Sequence, residues 1–246
     1  MDITTSTVFL PGATSGIGLA LALRLQAAGS TVVIGGRRTE LLDRLAGEHG
    51  FDTVPIDITD PASVTAARDT VLERHPELDA IIAMAGIMTA EDVRDAGFLD
   101  DALRVVETNI VGPLRLVAAF VEHLQTRPHA TVMTVSSGLA HLPLAATPTY
   151  NGSKAFIHRF SESIRLQLAS TSVEVIELVP PAVQTDLMPG QAEQPGFLPL
   201  DDFADEVMAL LRANPHAAEI LVERVKFLRF AEVEGRFDAA VAAVNA

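Results

Sequence analysis

The chain contains no cysteine, no tryptophan and only one tyrosine among its 246 residues. Without cysteine there is no disulfide framework and no thiolate chemistry, which leaves the redox compartment open and the cytoplasm as the expected location. Basic residues are scarce too: 18 Lys and Arg face 32 Asp and Glu, for a net charge of −14. Proteins that bind polyanions by counterion release need a basic surface, so no nucleic-acid partner is expected. Any phosphate site must be local, built from backbone N–H groups and a few cations. No apolar run reaches the ~18 to 20 residues that span a bilayer, so no membrane partner is expected. The opening MDITTSTVFLPG lacks the basic region and long apolar core of a secretory leader.

What is present is globular: 48% hydrophobic and 20% charged, enough for one substantial α/β core over 1–246. Short apolar runs alternate with segments of helical period. The strands read as Thr7–Leu10, Thr31–Gly35, Thr53–Ile56, Ala80–Met84, Ala130–Val135, Val173–Val179 and Glu219–Val222. Helical patterns lie near 17–28, 39–48, 61–74, 98–125, 149–169 and 201–213. Strands apolar at nearly every position are buried on both faces. Their alternation with helices predicts a doubly wound, Rossmann-type, mainly parallel sheet of seven strands with helices on both faces. One stretch breaks the pattern. Residues 186–200, DLMPGQAEQPGFLPL, are punctuated by Pro and Gly yet carry Leu187, Met188, Phe197 and Leu198, as a lid over an apolar substrate would.

The first strand runs into Gly12-Ala13-Thr14-Ser15-Gly16-Ile17-Gly18, and a helix follows. Any tight turn uses glycine. Between a first strand and a first helix, however, such a turn lets backbone approach a pyrophosphate, and the helix N-terminus supplies free N–H groups. No Lys follows the last Gly, which excludes a Walker-type loop. At the end of the second strand an NAD site needs a carboxylate for the ribose 2′-OH, whereas this chain has Gly35-Gly36-Arg37-Arg38. A guanidinium there suits a 2′-phosphate, so the cofactor expected is NADP(H).

The lone tyrosine, Tyr150, is followed four residues later by Lys154, and on a helix both side chains point into one site. Reducing a carbonyl requires a proton donor, and a free phenol near pKa 10 is slow to ionise. A nearby ammonium favours phenolate and predicts a lowered value. Of the seven histidines, none shows metal-ligand spacing with another His or an acid, so no metal is expected. Only His141, four residues past Ser137, is placed to reach substrate.

The spacing Gly-x3-Gly-x-Gly, followed by Tyr-x3-Lys with Ser137 thirteen residues before Tyr150, resembles the short-chain dehydrogenase/reductase family across about residues 7–190. The resemblance implies hydride transfer between a nicotinamide and a carbonyl or alcohol carbon. It implies that Ser137 polarises the carbonyl, Ser136 being the structural neighbour, and that Tyr150 and Lys154 act as acid/base pair. Asn109 would support a proton-relay water beside the lysine. It further implies cofactor contacts from Gly12, Thr14, Ser15, Gly16, Ile17 and Gly18, from Arg37 and Arg38, and from Asp57 and Ile58 at the adenine. Ala85 and Gly86, Tyr150 and Lys154, and Pro180, Val183 and Thr185 at the nicotinamide complete that set.

Three positions depart from the family pattern: Pro11 replaces Thr, Ala83-Met84 replaces two Asn, and Pro181 replaces Gly. Pro11 and Met84 together remove a polar tie between strands one and four, and apolar packing of Pro11 near the Ala83-Met84 turn is expected in its place. The segments expected to line the pocket, Ile87–Glu91, Leu139–Ala146 and Ala182–Leu200, are mostly apolar and favour an aliphatic, aromatic or polyketide-like carbonyl over a sugar. Family members pair through the helices equivalent to 98–125 and 149–169, which implies a homodimer or homotetramer. The competing reading is a non-enzymatic NADP(H)-binding regulator, against which the intact Ser137, Tyr150, Lys154 and Asn109 stand. An extended-type epimerase would need a larger C-terminal domain, and an enoyl reductase a longer Tyr–Lys spacing.

Overall fold

The computed structural model describes residues 1–246 and shows one parallel seven-stranded sheet in the order β3-β2-β1-β4-β5-β6-β7. The strands are β1 (Thr7–Pro11), β2 (Thr31–Gly36), β3 (Asp52–Pro55), β4 (Ala80–Ala83), β5 (Ala130–Val135), β6 (Val173–Leu178) and β7 (Glu219–Ile220). Crossover helices cover both faces: α1 (Gly16–Ala28), α2 (Thr39–His49), α3 (Pro61–Arg74), α4 (Phe98–Val106), α5 (Gly112–Leu124), α6 (Pro148–Leu168) and α7 (Leu200–Ala213). The order reverses between β1 and β4, and the crevice outside the strand ends at such a switch point is where ligands bind.

The two faces carry separate cores. Leu10, Ile34, Ile82 and Met133 point to one, with α1, α2 and α7 packed on it; Phe9, Val33, Ile81 and Val132 point to the other, under α3 and α5. This is the pleat of strands buried on both sides, in which successive residues enter opposite cores. Local signals set several ends. Asp60 accepts from the Ala62 N–H and Pro61 opens α3, while α1 stops at Gly29 with φ 117°.

The helix read as continuous over 98–125 is interrupted. Residues Glu107–Val111 form a π turn between α4 and α5. Its centre is Asn109, whose amide is drawn out to the backbone of Ile87, and such bulges occur where a side chain must be re-aimed from a helix. The C-terminal segment holds two helices that the sequence reading did not assign, α8 (Glu223–Arg229) and α9 (Phe237–Val244). Both are short, which is why periodicity gives little signal there.

Pro11 and Met84 do not pack together. Pro11 lies in a tight gap with Ala83, Ala85, Ile58 and Leu116, on the α3–α5 side, whereas Met84 packs into the opposite core. Residue alternation along the chain after β4 sends Ala83 and Ala85 one way and Met84 the other.

Candidate active site

At the C-terminal edge of the sheet the loops after β1, β2, β4, β5 and β6 converge. Gly12 adopts φ 91° and Gly16 φ 54°, conformations that L side chains rarely take. A Cβ on Gly12 would come within 2.6 Å of the Ala85 backbone, so the turn rests directly against the loop after β4. Helix α1 begins after Ser15 with no side-chain cap and no acid in its first turn, leaving its first N–H groups free for an anion. Thr185 is buried and its methyl lies against Gly16, joining the loop after β6 to this cradle.

Beside the cradle, Gly36 is pressed on Thr14: a Cβ there would meet the Thr14 methyl at 2.7 Å. The Arg38 guanidinium donates to Thr14 Oγ1 at 2.9 Å. Arg37 is exposed and makes no hydrogen bond, and its charge helps the Thr59 hydroxyl and N–H hold the Asp57 carboxyl below its ordinary value against desolvation. The site thus presents glycines, free helix N–H groups and two guanidinium groups, and no carboxylate at the end of β2. The donor set fits a phosphorylated dinucleotide.

The catalytic candidates lie on β5's exit, α6 and the π turn. Tyr150 and Lys154 are buried one turn apart on α6, with Nζ 5.5 Å from the ring centre. Lys154 Nζ donates to the Val135 carbonyl at 2.9 Å. Burial pushes the Tyr150 phenol up to about 12, with the adjacent Ser137 hydroxyl pulling the other way; burial brings the Lys154 ammonium down to about 8. The lowered phenol expected from the Tyr–Lys pair is therefore absent here. Desolvation raises the phenol, only the Ser137 hydroxyl draws it down, and the ammonium is hydrogen-bonded to the Val135 carbonyl.

Asn109 is buried and clamps the loop after β4: its Oδ1 accepts from the Ile87 N–H at 2.9 Å and its Nδ2 donates to the Ile87 carbonyl at 2.8 Å. Nδ2 also donates to Ser153 Oγ at 3.2 Å, and that hydroxyl donates back to the Tyr150 carbonyl at 2.7 Å. Asn109 Oδ1 and Lys154 Nζ both flank Gly86, where an added Cβ would stand 3.4 and 3.7 Å from them. Ser137 Oγ accepts from the Leu139 N–H at 3.1 Å, and the Pro180 carbonyl accepts from the Gly138 N–H at 2.9 Å. The 182–198 loop folds back on itself through Gln184 N–H to Leu198 O at 2.9 Å and Gln191 Nε2 to Val183 O at 2.8 Å.

Residues 6–196 match the family described as short chain dehydrogenase. The chain belongs to that family. As a short-chain dehydrogenase it is an oxidoreductase, and its fold binds a nicotinamide cofactor. It is 35% identical over 237 residues to the uncharacterized oxidoreductase DltE of Bacillus subtilis, covering 93% of this chain and 92% of that one. A probable NADP-dependent dehydrogenase of Haemophilus influenzae is 29% identical over 178 residues, covering 72% of this chain and 71% of its own. The crystal structure of a short chain dehydrogenase from Burkholderia cenocepacia J2315 in complex with NADP aligns over the whole of both chains with a TM-score of 0.83 and 25% identity.

Within this dehydrogenase two expectations about histidine change. His141 packs edge-on to His158, ring centres 4.6 Å apart, with its Nε2 buried and unpartnered. Burial first, then the charges of His158 and Arg229, bring its pKa down to about 4. His158, in turn, gathers with Glu177 and Glu219, ligand-type atoms within 4.8 Å of one another. Those three residues lie on α6, β6 and β7, so linear spacing could not show them together. Arg229 donates to Glu219 through two bonds of 2.8 and 3.1 Å, and His158 Nδ1 lies 2.9 Å from Glu177, so each acid of the cluster already has a partner within the chain. The available signal was the second acid of the strand VEVIEL: three residues after exposed Glu174 it falls on the opposite side of the strand, and Glu177 is fully buried.

Proposed function

We propose that this short-chain dehydrogenase is an NADP(H)-dependent carbonyl reductase or alcohol dehydrogenase, acting on a hydrophobic substrate as a cytoplasmic homo-oligomer. The observation that carries the cofactor reading is the end of β2, where Gly36, Arg37 and Arg38 stand in place of an acid, with Gly36 and Arg38 directly against the cradle threonine Thr14. A carboxylate there would repel a 2′-phosphate, and a guanidinium pairs with it. When bound, the nicotinamide supplies or accepts the hydride.

Everything else falls to the chain's own residues. Ser137 Oγ, held by the Leu139 N–H, donates to the substrate oxygen and polarises the carbonyl. Tyr150 gives its phenolic proton to the developing alkoxide, or takes it in the reverse direction. Lys154 holds an ammonium near the phenol and orients on the Val135 carbonyl. Asn109 fixes Ile87 and the start of α6 and keeps a polar atom facing the lysine for a proton path. Val183 and Thr185 hold the carboxamide side of the cofactor pocket, with 186–200 as the lid. Exposed Leu99 and Leu103 on α4 and Phe156 and Leu166 on α6 support association through those helices.

The test is turnover of a panel of ketones and aldehydes with NADPH by the parent and by Tyr150→Phe. The phenol's loss should leave NADPH binding intact and lower kcat by about 10² to 10⁴. Turnover within a few-fold of the parent removes Tyr150 from the chemistry.

A further inference from the structure

Three successive residues leave β5, and each is tied to a different part of the structure behind the site. The Val135 carbonyl accepts from Lys154 Nζ at 2.9 Å. Ser137 stands beside the Tyr150 phenol. Between them, Ser136 turns the other way: its hydroxyl donates in a short hydrogen bond to Glu177 on β6. The two Glu177 oxygens also lie 3.0 and 2.9 Å from His158 Nδ1. Tyr150, Lys154 and His158 are spaced at i, i+4 and i+8 on α6, so one helix face meets the strand exit at all three levels. Ser136, Glu177 and His158 are all buried, and none of them touches the reacting groups.

We infer that Glu177 is a positioning residue for the catalytic strand exit, acting through Ser136 and His158. Burying a carboxylate is unfavourable unless its oxygens are well partnered, and here both are. The two donors come from the strand carrying Ser137 and the helix carrying Tyr150 and Lys154. One acceptor therefore sets the spacing between the two halves of the acid/base machinery. Further charges face this pair from every side. Glu162, on the same helix, lies 3.7 Å from His158 Nε2, and Arg159 pairs with Glu162. Arg229 on α8 holds Glu219 beside them, and His141 packs on the imidazole. Such a balanced surrounding keeps the carboxylate in one place rather than free to follow substrate.

The inference rests on the proposed roles of Ser137, Tyr150 and Lys154, and its test includes a readout that needs no turnover. Glu177→Met keeps the shape but removes the acceptor; Glu177→Gln keeps an acceptor for Ser136 and can donate to His158 in its other tautomer. With NADPH and a carbonyl substrate, Glu177→Met should lower kcat at least about tenfold, the cost of losing one well-placed hydrogen bond, and leave KM for NADPH within about twofold. Glu177→Gln should recover most of the loss. Ser136→Ala should act in the same direction, and Ser136→Ala added to Glu177→Met should cost little more than Glu177→Met alone. Because Tyr150 is the only tyrosine, protein labelled with tyrosine carrying ¹³C at Cζ gives one resonance. That resonance should move in Glu177→Met and stay in a remote control such as Arg68→Ala.

If Glu177→Met lowers only the melting temperature, with kcat and the tyrosine resonance unchanged, Glu177 serves stability alone and the inference falls. If Glu177→Met does not fold, Ser136→Ala decides: an unmoved resonance with kcat within twofold of the parent overturns it. A shifted resonance in a protein whose Tyr150→Phe variant keeps full turnover would leave the positioning intact and refute the proposed chemistry instead.

Discussion

Lys154 and Val135 are joined across the catalytic crevice by a 2.9 Å hydrogen bond from ammonium to carbonyl, in a place where the lysine has no carboxylate partner. Burial brings that ammonium down to about 8, against about 10.4 in the unfolded chain. Between those values the folded protein holds fewer protons than the unfolded one. The stability cost is therefore fully present below pH 8 and is relieved as pH rises towards 10.4. Lys154→Met should abolish turnover yet stabilise the protein by about 1 to 3 kcal/mol at pH 7, with a smaller gain at pH 10. Denaturation midpoints at the two pH values check this; a destabilised Lys154→Met at pH 7 would show that the carbonyl bond outweighs the desolvation.

The proposed NADP(H) site gives the two arginines after β2 different parts. Arg38 is engaged with Thr14, whereas Arg37 makes no hydrogen bond within the chain and is available to a 2′-phosphate. Measured kcat/KM should favour NADPH over NADH, and Arg37→Ala should erase about tenfold or more of that preference while sparing NADH. Equal use of the two cofactors by the parent would sink the NADP(H) assignment.

His141 gives the fold an acid-sensitive point. Its pKa is about 4 in the folded chain and about 6.5 unfolded, so stability is full above pH 6.5 and declines as pH falls through 4. Asp52, Asp57 and Glu162, all held below their ordinary values, add their losses only at lower pH. His141→Gln should flatten the melting temperature between pH 6.5 and 4.5. An unchanged slope in that window would show that the imidazole is not the sensitive group.

Pro11 and Met84 belong to opposite cores, so their exchange for the polar residues of related chains should not be cooperative. Pro11→Thr places a hydroxyl among Ala83, Ala85 and Leu116 and should destabilise by about 1 to 3 kcal/mol. Met84→Asn removes apolar contact on the other face. Midpoints of the single and double variants should add within about 0.5 kcal/mol. A larger coupling would mean that the two positions communicate through the turn.

Reading the residues in order was enough for the seven strands, the major crossover helices and the glycine turn between β1 and α1. Each of those depends on local chemistry: apolar runs buried on two faces, glycines where φ is positive, and four-residue spacing on a helix. The break at Asn109 was hidden, because a π turn is made by what the side chain reaches, here Ile87, twenty-two residues away in the chain. The short helices α8 and α9 were hidden by their length.

The sequence by itself determined that Tyr150 and Lys154 share a helix face, that Ser137 lies at a strand exit, and that no acid stands after β2. Only the tertiary structure decided what surrounds them. Burial moved Tyr150 and Lys154 away from the values their pairing alone would suggest, since desolvation depends on all the neighbours at once. It also brought Ser136, His158 and Glu177 together from β5, α6 and β6, because side chains distant along the chain meet only when the strands and helices carrying them pack.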